Sequence, residues 1–374
     1  MRYTHSALLS VGWHSDQERI ASIDPLGFDD KIRLLHLLNK SADTHEIIQM
    51  LYRLLPVPDA LDRYGYQESI AAMRDLGIFI GILKKHGIEP VEVIPELEYV
   101  LLVLMVKTDL PPRDTLLHYT LWNPDGHRMR TYTGLPDEKS LVESVKIAMP
   151  FLFESIYMLE HLHGGFLNGA GFEDQCRIIH EKMQHMVAGV VHAKRNVSPG
   201  VFANELRFYY DPIKVDYNKS YMGPGAVEMP MFIFDHLLWS CDTEDPVYTA
   251  FKEGYLPYNL RSMREIYVRF KGKQSLVTRV LRNLEVKPSG EAYRSACAVL
   301  ELCTVLKSFR MPHKKLAESA YAHNDAEHRH HGSGGYSTDI LQHIILLQNE
   351  KIQALKDAAA RAKMMIETSE QSFE

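Results

Sequence analysis

The chain has 374 residues, of which 45% are hydrophobic and 24% charged, an ordinary globular balance that argues against disordered, fibrous and membrane-embedded classes. Its 42 Lys and Arg against 48 Asp and Glu give a formal charge of -6. There is no basic stripe of the kind a phosphate backbone requires, so nucleic acid is not an expected partner.

From the N-terminus, the apolar stretch behind Met1 is soon interrupted by His14, Asp16 and Glu18, so no leader is legible and the cytoplasm is the expected compartment. The longest apolar runs, Leu76 to Leu83 and Tyr99 to Val106, fall far short of the roughly 20 residues of a bilayer span. Apolar residues recur at helical spacing, as at Ile147, Phe151, Ile156 and Leu159, or Val299, Leu302, Leu306 and Phe309, and period-two alternation is scarce. The pattern predicts a mainly α protein with one shared core. Residues 1–55 read as a small helical lead-in, 56–346 as the main helical domain, and 347–374 as a charged helix that frays. Pro and Gly clusters such as Leu110-Pro111-Pro112, Asn123-Pro124-Asp125-Gly126 and Pro199-Gly200 mark the turns between helices. Leu135 to Ser140 reads as a helix start with acidic first-turn residues. Cys176, Cys241, Cys297 and Cys303 show no CxxC pairing, which predicts reduced and mostly buried thiols.

Four constellations in the second half carry candidate chemistry. Arg207 sits among aromatics in Val201 to Pro212; it suits either a bidentate grip on a carboxylate or a salt bridge to Glu205 or Asp211. Gly223-Pro224-Gly225-Ala226 precedes the aromatic-rich run Met231 to Trp239, which fits backbone laid against a flat ligand or a tight turn feeding a buried helix. His313 follows Pro312 in an apolar-periodic helix, where the missing N–H is expected to kink or restart the helix. An imidazole with no second ligand nearby suits haem iron, though with 19 histidines in the chain a packing role is the commoner fate. Tyr321, eight positions on, shares the face of His313. Last, Gly332-Ser333-Gly334-Gly335 runs into an apolar helix and reads as an anion-binding loop or as a flexible loop ending in an N-cap. His323, His328, His330 and His331 before it read as a solvated loop.

Taken in order, these stretches resemble the monodechloroaminopyrrolnitrin synthase (PrnB) family, within the haem-dependent indoleamine/tryptophan 2,3-dioxygenase superfamily. The likeness begins at Ala71-Ala72-Met73-Arg74-Asp75, runs through Leu110 to His118 and Tyr132 to Glu138, and includes GPGAVEMP and GSGGY. It implies a single large helical domain with a haem between helices. It implies haem b as cofactor and dioxygen as co-substrate, with His313 as the proximal iron ligand. Arg207 would hold an amino-acid carboxylate, with Phe202 against an indole and Ala203 where the dioxygenases carry a second aromatic. Tyr321 and Ser333 would be catalytic hydrogen-bonding groups. Ser333 and Gly334 would lie near substrate, and Gly223, Gly225, Ala226, Gly332 and Gly335 beside the haem. The distal polar residue falls on Glu143 or Ser144. The implied reaction is rearrangement of tryptophan or 7-chlorotryptophan, with decarboxylation, to an aminophenylpyrrole, with an electron donor as a further partner. The alternatives are an indole 2,3-dioxygenase giving an N-formylkynurenine and a non-catalytic haem or indole sensor.

Overall fold

A computed structural model describes residues 16–323 and 339–371. Its first half is built from α1 (Ile32–Lys40), α2 (Thr44–Leu54), α3 (Tyr66–Lys85) and α4 (Pro95–Thr108). Helix α3 carries apolar residues on every side, and such a helix is stable only at the centre of a core. It occupies that centre: Ser69 through Leu83 are all buried. Two glycines let neighbours reach it. A Cβ on Gly77 would stand 2.3 Å from Asp114, and one on Gly81 would stand 2.4 Å from the Tyr132 ring.

Charge inside this half is closed into a network. Arg74 donates to Asp75 at 2.8 Å and to the carbonyls of Ile20, Ile23 and Trp122, and Arg130 donates to the same Asp75 at 2.8 Å. All three side chains are buried, and Arg130 also pairs with Asp24 and Asp29, so the two guanidinium charges are compensated where water cannot help. The bonds to Ile20 and Ile23 tie the lead-in to α3.

The second half contains α5 (Pro136–Gly164), α6 (Ala170–Asn196), α7 (Met231–Asp235), α8 (Pro246–Tyr255), α9 (Arg261–Phe270), α10 (Leu276–Val286), α11 (Gly290–Ala322) and α12 (Asp339–Gln371). Pro136 opens α5 with Asp137 and Glu138 in its first turn, as the sequence predicts. Glu138 is also a clasp: it receives the Tyr119 hydroxyl and the backbone N–H groups of Tyr132 and Thr133. Helices α5 and α6 cross closely, since a Cβ on Gly189 would lie 2.5 Å from the Ser144 carbonyl oxygen. Helix α6 packs on α11, α11 on α12, and α10 on both.

The fold class is the predicted one, mainly α. Among the described residues the only sheet is the hairpin Ile213–Val215 with Lys219–Tyr221. Helix α12 passes residue 347 without a break and buries Leu355, Ala358, Ala359 and Ala362. Helix α11 is not restarted at Pro312; it runs unbroken from Gly290 to Ala322. The carbonyl that Pro312 leaves without an in-helix donor belongs to Ser308, an exposed residue, where solvent can reach it, so the helix continues at little cost. All four cysteines are free thiols, three of them buried. No described helix is long and apolar enough to cross a membrane.

Candidate active site

One face of α11, formed by Phe309, Arg310, His313, Leu316, Ala317, Ala320 and Tyr321, lines a cavity of about 330 Å³. These positions recur at steps of three and four, so the helical period alone gathers them. Ser144, Val145 and Ala148 of α5 and Met186, Gly189 and Val190 of α6 supply more of the lining. Phe202, Arg207 and Asp235 complete it together with Ile340, Leu341 and Ile344 of α12. The volume falls within the range of small-molecule sites, and the lining is apolar apart from a few polar groups.

His313 stacks on Phe309 with ring centroids 5.5 Å apart. Among the described residues neither of its ring nitrogens is hydrogen-bonded. Burial, and after it the Arg310 charge one turn away, hold its pKa down to about 4, so the ring is neutral and keeps a free lone pair at physiological pH. Among the described residues no group of three His, Cys, Asp or Glu is placed to hold a metal ion. A lone neutral imidazole can therefore bind a metal here only if the metal brings its other ligands with it. A tetrapyrrole does so; a zinc or other mononuclear site built from side chains does not.

Arg207 lies in the 3-10 turn Leu206–Tyr210, and Phe202 on the short helix Pro199–Asn204, whose N-cap Ser198 accepts from Val201. Arg207 is buried, and its guanidinium sits over the Tyr321 ring at 5.1 Å. Glu205, one salt-bridge partner the sequence offers, is taken by Lys85 and by the Tyr209 hydroxyl. Along α11, Arg310 precedes His313 by about 4.5 Å and Tyr321 follows it by about 12 Å. Polar groups thus flank the imidazole on both sides.

A family model described as monodechloroaminopyrrolnitrin synthase PrnB matches residues 31–371. The chain belongs to the PrnB family. That family is haem-dependent and lies in the haem tryptophan dioxygenase superfamily, so the chain is in general terms a PrnB-like, tryptophan-modifying haem enzyme. The donor set at His313 fits that cofactor on its own chemistry.

Four of the residues that the resemblance to PrnB singled out, His313, Tyr321, Arg207 and Phe202, are brought to this one cavity. Others stand elsewhere. Ala203 is fully buried and does not line the cavity. Gly223 and Gly225 are buried but do not line it either. At Gly223 the small side chain serves backbone packing, since a Cβ would meet the Tyr210 carbonyl oxygen at 2.6 Å. Ala226 opens the short turn Ala226–Glu228, and the adjoining Val227 and Met229 are the residues that reach the cavity. Of the two distal candidates, Ser144 lines the cavity, whereas Glu143 stands 3.5 Å from His192. Gly332, Ser333, Gly334 and Gly335, with His328, His330 and His331, lie outside the described residues; His323 is exposed.

Sequence reasoning missed Asp235 and Arg310. They form a buried ion pair on the cavity wall, and Arg310 also donates to Gln348 at 2.6 Å. Two signals were available: Arg310 precedes His313 by one turn, and Asp235 is a lone acid in an apolar run. Neither pointed to the other.

Proposed function

We propose that this chain is a haem b enzyme of the cytoplasm that takes tryptophan or 7-chlorotryptophan and dioxygen. Its reaction rearranges the indole ring with loss of the carboxylate to give an aminophenylpyrrole, with an electron donor as partner. The observation that carries the proposal is the convergence of a neutral imidazole with no hydrogen bond among the described residues, an arginine beside a tyrosine, and a phenylalanine on one apolar cavity.

In this reading His313 holds the iron by its free lone pair, and the haem when bound supplies dioxygen chemistry. Arg207 binds the amino-acid carboxylate through parallel N–H donors, which gain strength where water is excluded. Phe202 offers a face for the indole. Tyr321, under the Arg207 guanidinium, keeps the clamp oriented and holds a phenolic proton within the cavity. Ser144 faces the cavity with its hydroxyl donated to the Leu141 carbonyl at 2.6 Å, so it adds a polar lone pair to an apolar wall. Positioning of this kind decides which bond of a bound substrate meets oxygen. Ser333 and Gly334 are assigned to the substrate end by resemblance.

The test is to load the protein with haem, reduce it, and add L-tryptophan or its 7-chloro derivative with oxygen. A Soret band that shifts on adding the amino acid, and a product lighter by carbon dioxide and two hydrogens, the hydrogens passing to oxygen, support the proposal. A product heavier by two oxygens replaces rearrangement with ring dioxygenation, and a stable oxygenated complex without turnover makes the chain a binder. No Soret band after reconstitution overturns the haem reading itself.

A further inference from the structure

Behind the cavity wall, two oxidisable side chains end on the same carboxylate. Asp235, 1% exposed, lines the cavity. Its Oδ1 accepts from the Trp239 indole N–H at 3.0 Å, and its Oδ2 accepts from the Tyr248 hydroxyl at 2.8 Å and from the Arg310 guanidinium. The Trp239 and Tyr248 rings are stacked at 5.4 Å with 7° between their planes, and both are fully buried. Trp239 belongs to a π-helical segment, His236–Ser240, a backbone form concentrated at functional sites. Tyr248 continues through Phe251, itself a lining residue, to Tyr255 and Tyr258, with ring centroids 6.1, 5.3 and 6.2 Å apart.

Oxidation of a tyrosine in an apolar core is feasible only if its proton has somewhere to go, because a buried phenol radical cation is far too acidic to persist. At Tyr248 the acceptor is already in hydrogen-bond contact and borders the cavity. We propose that Tyr248, stacked on Trp239, is a one-electron donor to the haem cavity that discharges a haem oxidised by peroxide. The inference rests on the haem reading above. Hydrogen peroxide withdraws two electrons as its O–O bond breaks, one oxygen leaving as water with both peroxide protons and the other staying at the iron; the iron gives one electron and Tyr248 the other. The phenolic proton passes to Asp235 Oδ2, leaving a neutral tyrosyl radical, and Arg310 keeps its charge beside the now neutral acid. Trp239 shares the oxidising equivalent across the stack. Burial and the adjacent carboxylate keep the Tyr248 phenol protonated in the resting protein, so the proton is present to be transferred.

The test uses the full-length, haem-loaded ferric protein mixed with hydrogen peroxide, frozen, and examined by electron paramagnetic resonance. Protein grown on ring-deuterated tyrosine tests the assignment without altering the fold. The expected result is an organic-radical signal that narrows in the deuterated protein and falls several-fold in Tyr248→Phe, which keeps the ring stack and loses only the hydroxyl. Tyr267→Phe, another buried tyrosine with no bond to Asp235, is expected to keep the signal. A radical indifferent to tyrosine deuteration, or one at full yield in Tyr248→Phe, overturns the proposal. A normal Soret band with no radical overturns it alone, whereas an absent Soret band overturns it together with the haem reading.

Discussion

The surroundings of α3 and the cavity face of α11 differ in how they are completed. Around α3, Arg74, Asp75 and Arg130 bond to one another and to neighbouring carbonyls, and Gly77 and Gly81 let Asp114 and Tyr132 lie directly against the helix. Around α11, the helix face is lined by small and apolar side chains, a cavity is left open, and a neutral imidazole faces it with no hydrogen bond among the described residues. The first arrangement is self-sufficient; the second is complete only with a ligand. Removing a group from the first therefore costs stability, and removing one from the second costs binding.

The largest effect expected is at His313. His313→Ala is predicted to abolish stable haem incorporation, read by pyridine haemochrome and the Soret band, while the apoprotein's urea midpoint stays close to that of the parent. Arg74→Ala tests the opposite half. It leaves Asp75 short of one partner in a buried network, and the expected loss is about 3–5 kcal/mol in urea unfolding with no specific effect on the haem-binding stoichiometry of the protein that folds. A comparable urea loss in both variants, or loss of haem from folded Arg74→Ala, would break the contrast.

Arg207→Gln sharpens it within the cavity. Loss of a charged hydrogen-bond donor is worth about 1.5–3 kcal/mol, or roughly 10- to 100-fold in affinity. Optical titration of the haem-loaded variant with L-tryptophan is expected to show that weakening, with the Soret band of the ligand-free form unchanged. Gly77→Ala, which drives a Cβ into Asp114, is expected to cost about 1–3 kcal/mol of stability by overpacking and to leave haem binding alone.

A pH dependence is shared by both halves. His118 and His236 are held down to about 3, and His163 to about 4, in each case first by burial; the charges of Arg74 and Lys252 add to it at His118 and His236. Below their ordinary value of 6.5 the unfolded chain binds protons that the folded chain refuses. Stability therefore rises with pH across that window and is lost as pH falls from 6.5 toward 4, by up to about 1.4 kcal/mol per pH unit for each histidine. Urea midpoints of the apoprotein between pH 7 and 5 check this, and a flat profile would show that these rings are hydrated in solution.

What could be read without the structure follows the range of each interaction. The step of eight from His313 to Tyr321 is set by the period of a single helix, so their shared face was legible. The same period contains Arg310, but its partner Asp235 stands 75 residues away, and no local pattern announces such a pairing. Ser144 and Glu143 are adjacent, and only the position of α6 turns one inward and the other toward His192. The glycine at 223 was recognisable as a point of close approach; that the approach is to the Tyr210 backbone was not.

Composition and periodicity by themselves determined the mainly α class, the free thiols and the acidic start of α5, because these depend on neighbours in the chain and on the balance of apolar and charged side chains; His313 was singled out as an iron ligand only by the resemblance to the PrnB family. Tertiary structure alone decided that α5, α6, α11 and α12 leave an open space between them and that Arg207 comes to lie over Tyr321. The physical reason is that a cavity belongs to no segment: it is the volume that several separately stable helices fail to fill when their close contacts, such as Gly189 against Ser144, are made elsewhere.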